Sequence, residues 1–339
     1  MKRFLIGTTL AVIATIGLTG TAFAQEFSFR FQSSDPAGNP NFEYQKGWTD
    51  LVAERSGGKV KIELLPVGSV VEYNETLDAV AGGILDGQIC DSSYWAGKDP
   101  AFGLISNPVG AWSDPAQMID FVENGGGKEI MQELLGSYGL HFIGVSTPGL
   151  EAFVSRVPLD GVDDLKGLKM RAPEGPIANV FAAAGAAPVN LPSSEVYTSI
   201  DKGVVDAADY SVFSVNQAQG LNGVAKHPVY PGFHSLPLVE VSMNKAKWDA
   251  LPDDLKKMLE ETVKEFQQTQ INGLKAADQK AVEAAKAEGS ITIHDWSAEE
   301  RAKFRKLGVA EWENIAKRSP MAQKVFDTLT SYLKEKGLL

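Results

Sequence analysis

An internal repeat constrains the fold most. Glu75, Gly83 and Asp86 recur as Glu195, Gly203 and Asp206, each 120 residues further along. Each copy follows a β-like stretch closed by proline, Leu64-Leu65-Pro66 in the first and Val189-Asn190-Leu191-Pro192 in the second. Solenoid and propeller repeats run to about 50 residues at most, so this period describes one α/β unit built twice. Two such units with their strand ends facing each other enclose a cleft, a favoured place for a ligand.

The rest of the chain fits two lobes. Phe27 to Gln32 alternates apolar and polar residues as a strand does, and the polar loop Ser33-Ser34-Asp35-Pro36-Ala37-Gly38 follows at its rim. Helices are predicted over 42–56 and 72–87, with Leu77, Val80, Ala81, Ile84 and Leu85 on the apolar face of the second. Strands at 140–145 and 238–243 adjoin Thr147-Pro148-Gly149 and the prolines 228, 231 and 237, which mark two crossovers. From Pro252, apolar residues recur at helical intervals up to Gly289, with Asp253-Asp254 as the predicted cap. A helix of about 35 residues spans roughly 50 Å, enough to brace both lobes. A short strand at 290–294 and helices over 297–318 and 320–336 complete the chain.

One stretch delivers chemistry to the cleft. Gly167 to Ala172 reads as a strand, and Pro173 ends it because proline cannot donate to a sheet ladder. Arg171 therefore stands at a strand C-terminus, where ligands bind in open α/β sheets. Its guanidinium presents a planar fork of donors that matches a carboxylate.

Composition narrows the partners. The ends of the segment 1–24, Met1-Lys2-Arg3 and Ala22-Phe23-Ala24, flank an apolar run as in a secretory leader, so export to the periplasm is expected. No later stretch has the length of an apolar membrane span. The 43 acidic residues outnumber 32 basic ones, which argues against nucleic acid and anionic lipid as partners. Cys90 is the single cysteine, so no intrachain disulfide forms. Gly125-Gly126-Gly127-Lys128 lacks the Ser or Thr of a phosphate loop, since Glu129 follows the lysine. No nucleophile elbow, HExxH or CxxC is present, and His141, His227, His234 and His294 lie far apart, so an enzyme is not expected. Asp206 is expected to satisfy backbone donors in a turn.

Gly167 to Pro173, Gly203-Val-Val-Asp206-Ala-Ala-Asp209-Tyr210, Tyr94-Trp95-Ala96-Gly97-Lys98 and Trp248 to Pro252 together resemble the extracytoplasmic solute-binding proteins of TRAP transporters, the DctP-type family. Val229 to His234 is most similar to the subgroup that binds 2-oxo acids and related monocarboxylates. The resemblance implies an α/β, bilobal periplasmic-binding-protein fold of type II-like form. Its expected parts are lobe I from 25–148 plus 237–276, lobe II from 149–236 plus 277–339, and a helix across the hinge. It implies a small organic acid as ligand, TRAP membrane permease subunits as partners, Arg171 as the carboxylate clamp and Tyr210 as its orienting neighbour. Some members hold a metal that bridges the ligand, using carboxylates where this chain has Asp209 and Ser235. A hydroxyl is a poor replacement there, so no cofactor or metal is expected. Ser34, Tyr94, Glu151, Asp209 and Phe233 are further candidate ligand contacts, with Trp95 and Phe213 as candidate aromatic walls. Glu151 and Glu174 are costly beside a carboxylate unless they face a positive group, which keeps an amino acid open as the ligand. A sulfonate ligand, a role as a ligand-presenting sensor and a secreted enzyme acting on a small acid also stay open.

Overall fold

The computed structural model describes residues 26–339, so the expected leader 1–24 lies outside the described residues. Among the described residues, nine strands form two mixed sheets. They are β1 (Phe27–Ser33), β2 (Val60–Leu65), β3 (Gly87–Asp91), β4 (Leu140–Ser146), β5 (Ala152–Ser155), β6 (Lys169–Arg171), β7 (Ala187–Val189), β8 (Ala207–Ser211) and β9 (Val239–Asn244). The first sheet has the order β2-β1-β3-β9-β4 and the second β5-β8-β6-β7. In each, three parallel strands meet one antiparallel strand that enters from a crossover, β9 beside β3 and β5 beside β8.

The 120-residue repeat is a repeat of backbone. A 3-10 turn at Tyr73–Glu75, a helix at Thr76–Ala81 and β3 reappear as Ser193–Glu195, Val196–Asp201 and β8. The helix is shorter than the sequence predicts for 72–87. Gly83 and Gly203 turn left-handed at φ 73° and 69°, a conformation that costs glycine little and stops a helix. The chain then unwinds, and Ile84 ends 54% exposed rather than on a buried face. Asp206 also differs from expectation: its carboxylate lies 3.6 Å from Arg156, while its counterpart Asp86 accepts the Arg30 N–H at 2.8 Å.

The long helix runs over Asp253–Glu288. Pro252, not an aspartate, is its N-cap, and Asp253 and Asp254 lie in the first turn, where a carboxylate favours the positive end of the helix. Leu255, Leu259, Val263 and Phe266 bury against the first sheet, at roughly 1.5–3 kcal/mol for each such side chain. Further along, Leu274 packs on Val212 and Val215, and Val282 and Ala285 pack on Ala152 and Phe213. One helix therefore carries both lobes.

The C-terminal assignment needs correction. Helix Ala298–Ala316 straddles the lobes: Phe304 lies in the core of the second, Trp312 and Ile315 in that of the first. Helix Pro320–Glu335 buries Val325, Leu329 and Leu333 in the first lobe, whereas the sequence placed all of 277–339 in the second. Residues 290–294 make only an isolated bridge, His294 to Val229, in place of the expected strand. Ser297 caps its helix through Glu300 N–H, but Glu300 is drawn to Val162 N–H at 2.8 Å and does not complete a capping box.

Candidate functional site

The C-terminal ends of β1, β3, β6 and β8 face one another across the lobes. Arg171 ends β6 and is 3% exposed. Its Nε donates to the Leu191 carbonyl at 3.1 Å and its Nη1 to the Asp209 carbonyl at 2.6 Å. Two carbonyls thus fix the plane of the guanidinium from the protein side. Burial disfavours its charge, but Tyr94, Asp209 and Glu151 outweigh that and raise its pKa. Tyr94 lies beside it from lobe I, its phenol pushed up by burial. Tyr73 stacks edge-on to Tyr94 at 4.8 Å and reaches toward Asn190 of lobe II.

A second cluster adjoins the arginine. Glu151, Asp209 and His234 are all buried, each with one donor atom within 4.8 Å of the others. His234 Nε2 pairs with Asp209 Oδ1 at 2.7 Å, and the Ser235 hydroxyl donates to Glu151 Oε2. Asn107 Nδ2 donates in turn to the Ser235 oxygen at 2.7 Å. Burial, then the neighbouring Asp209 charge, push the Glu151 carboxyl well above the usual range. Burial acts on Asp209 in the same direction, but the hydrogen bond and charge of His234 and the charge of Arg171 hold it low. Both crossovers build this cluster: Glu151 N–H donates to the Ser235 carbonyl at 2.9 Å.

Hydrogen bonds close the lobes over these groups. Ser193 Oγ donates to the Ser34 carbonyl at 3.0 Å, and Asn39 Nδ2 donates to the Tyr210 hydroxyl at 3.3 Å. Burial pushes the Tyr210 phenol up to about 12, and Asp35 beside it is raised to about 6, again chiefly by burial.

The structure therefore brings together Arg171, Tyr94, Glu151, Asp209, Tyr210 and Ser34. Phe233 is a correction: its ring sits in the lobe II core against Phe153, Trp296 and Phe304, with Arg301 5.0 Å from its centre. Trp95 packs edge-on to Phe102 in the lobe I core, and Phe213 packs beside the long helix. Glu174 is exposed. Sequence reasoning missed His234, counting it only as one of four histidines far apart in the chain; its adjacency to Ser235 at the second crossover was the available signal. Gln32, Asn107 and Tyr73 gave no signal, because the hydrogen-bond partners of their side chains lie 38 or more residues away.

Two α/β lobes on a shared helix, closed over a buried arginine, define a solute-binding protein of the periplasmic type. The chain belongs to the bacterial extracellular solute-binding protein family 7, whose model matches residues 31–319. It is 26% identical to a monocarboxylate 2-oxoacid-binding periplasmic protein of Nostoc sp., over 98% of this chain and 94% of that one. It is 71% identical to a TRAP periplasmic solute-binding protein of Rhodobacter sphaeroides in an apo open crystal structure, covering 92% of this chain and 99% of that one, with a TM-score of 0.75. A TRAP protein of Pseudoalteromonas atlantica T6c with bound sodium and pyruvate is 23% identical, covers 92% and 95%, and has a TM-score of 0.83. The family is one of solute-binding proteins rather than enzymes. No helix among the described residues is long and apolar enough to cross a membrane.

Proposed function

We propose that this chain captures a small monocarboxylate, a 2-oxo or 2-hydroxy acid, by pairing its carboxylate with Arg171, and delivers it to TRAP permease subunits. The arginine carries this reading. It is buried at the end of a central strand, oriented by two carbonyls, and has outer N–H groups left to donate. A charge-assisted pair of this kind contributes roughly 1.5 to 3 kcal/mol. Closing the cleft removes water and strengthens it, which links occupancy to the closed state.

Two comparisons support the reading. The Nostoc relative is described as binding monocarboxylate 2-oxoacids. The fold also superposes less well on the 71% identical open form than on the 23% identical pyruvate-bound one, as expected if the lobes here stand closed.

A thermal-shift screen tests this with pyruvate, 2-oxobutyrate, lactate, malonate and L-alanine. A ligand at 100 times its dissociation constant adds about 2.7 kcal/mol of stability. Pyruvate or lactate is expected to raise the melting temperature. No shift with any acid rejects the proposal.

A further inference from the structure

Two segments that deliver cleft residues run on into a contact between the lobes. In lobe I, Tyr94 lies in the 3-10 turn Ser92–Trp95, Ala96 follows it, and Gly103 sits within the helix Pro100–Ser106. In lobe II, Arg171 ends β6, and Gly175 precedes the helix Pro176–Ala183, which Pro176 opens. The two stretches meet closely. A Cβ on Gly103 would stand 2.6 Å from Pro176 Cδ, nearer than to Ala96 Cβ of its own lobe at 3.1 Å, and one on Gly175 would also stand 3.1 Å from Ala96 Cβ. Gly175, at φ 101°, needs glycine for its conformation as well. Gly103 does not: its φ is not left-handed, and a helix interior favours alanine over glycine. The approach of lobe II accounts for the missing side chain. That obstacle is rigid, because Cδ belongs to a ring closed onto the backbone and cannot swing aside. A methyl group at 103 could be housed only by moving the helix Pro176–Ala183 off lobe I. Arg171, five residues before Pro176, would then move away from Tyr94.

A second seam is polar and mirrors the first. The loop after β1 leads into a helix that opens with proline, Pro40–Arg55, as the loop after β6 leads into Pro176–Ala183. Each loop docks on the opposite lobe. Ser193 Oγ donates to the Ser34 carbonyl at 3.0 Å, Gln219 Nε2 to the Gly38 carbonyl at 3.3 Å, and Asn41 Nδ2 to Ser211 Oγ at 3.4 Å.

We propose that Gly103 is a positioning residue for ligand retention: its missing side chain lets Pro176 dock, and that contact, with the Ser193 latch, holds Arg171 and Tyr94 together over the bound acid. The inference rests on the proposed capture of a monocarboxylate by lobe closure and adds the residues that set how long the acid is held.

The test is equilibrium titration and stopped-flow mixing of the full chain with pyruvate, or with lactate if pyruvate gives no signal. The unmodified protein is compared with Gly103→Ala, Ser193→Ala and Ser193→Thr. Without ligand, Gly103→Ala is expected to melt within about 3 °C of the unmodified protein, because alanine suits the helix. It is expected to bind the acid roughly 10-fold or more weakly, because the overpacking falls on the closed form. The loss should lie in the dissociation rate, with association changed less than about 3-fold, since the open cleft still presents Arg171. Ser193→Ala is expected to dissociate about 2- to 10-fold faster, the worth of one hydrogen bond, and Ser193→Thr, which keeps the hydroxyl, to restore the rate. A folded Gly103→Ala with unchanged affinity, or with its loss confined to association, would overturn the proposal. Should Gly103→Ala not fold, the serine pair decides, and a dissociation rate unchanged in Ser193→Ala overturns it. If neither acid binds the unmodified protein, the proposed function fails separately. Small-angle scattering of the ligand-free proteins then decides this inference: Gly103→Ala should have the larger radius of gyration, and equal radii overturn it.

Discussion

Gln32 and Arg171 occupy the same place in the two lobes and make the same first hydrogen bond. Gln32 pairs with Gln88 across the first sheet, and Arg171 pairs with Ala208, 120 residues on, across the second. Gln32 Nε2 donates to the carbonyl of Val71 at 2.9 Å; Arg171 Nε donates to that of Leu191, the residue 120 further along, at 3.1 Å. In lobe I the carboxamide ends there, its oxygen accepting Val70 N–H at 2.9 Å. In lobe II the guanidinium extends further, to the Asp209 carbonyl and the cleft. A structural anchor in one half thus corresponds to the proposed ligand clamp in the other.

Arg171→Gln, which places the lobe I residue in lobe II, is expected to keep the Leu191 anchor and lose the charge. Pyruvate affinity should fall roughly 10- to 100-fold, matching the worth of a charge-assisted bond, while the melting temperature changes little. Arg171→Lys should also lose most affinity, because an ammonium cannot reproduce the fork. Titration and melting of both variants check this, and unchanged affinity in either contradicts the clamp.

The converse substitution, Gln32→Ala, should leave ligand binding intact and cost stability. It strands the half-buried Val70 and Val71 backbone groups, at up to about 1 kcal/mol for each unsatisfied group. Urea denaturation reads the loss, and a fall in affinity without a fall in stability would contradict the assignment.

Much of this was legible in the chain. The repeat, the strand delivering Arg171 and the helix spanning the hinge come from local signals: residues in register, a proline stop and helical periodicity. Placement of the last helix was not, because its apolar stripe fits any complementary groove and only packing selects lobe I. Phe233 was misplaced for the same reason, since an aromatic at a crossover can face a cleft or fill a core. His234 was overlooked because its meaning depends on Asp209, 25 residues away, and on Glu151 in the other crossover.

The crossovers tolerate no extra bulk. A Cβ on Gly232 would stand 2.3 Å from the Glu151 carbonyl oxygen and 2.7 Å from that of Leu150, both backbone atoms. Gly232→Ala should therefore push the crossovers apart, costing about 1 to 3 kcal/mol and weakening ligand binding through displacement of Glu151. Parallel melting and titration measurements check both effects; a variant with neither change contradicts the close approach.

Glu240 predicts a pH effect remote from the ligand. It is fully buried in β9, accepts Gln88 Nε2–H at 2.7 Å, and burial raises its carboxyl to about 8 from 4.5. The folded chain thus favours the protonated form. That stabilisation is complete below pH 4.5 and is lost as pH rises toward 8, at up to about 1.4 kcal/mol per unit of pKa difference. Glu240→Gln retains the acceptor and should remove this contribution, so the gap between variant and unmodified protein should widen in the variant's favour from pH 5 to pH 9. Urea midpoints across that range check it, and a constant gap contradicts it.

The most direct measurement is a crystal structure grown with pyruvate. The account predicts closed lobes and the Arg171 guanidinium donating to the pyruvate carboxylate, with Nε still on the Leu191 carbonyl. A bound pyruvate whose carboxylate is held by other groups, with Arg171 bonded to protein alone, would contradict it.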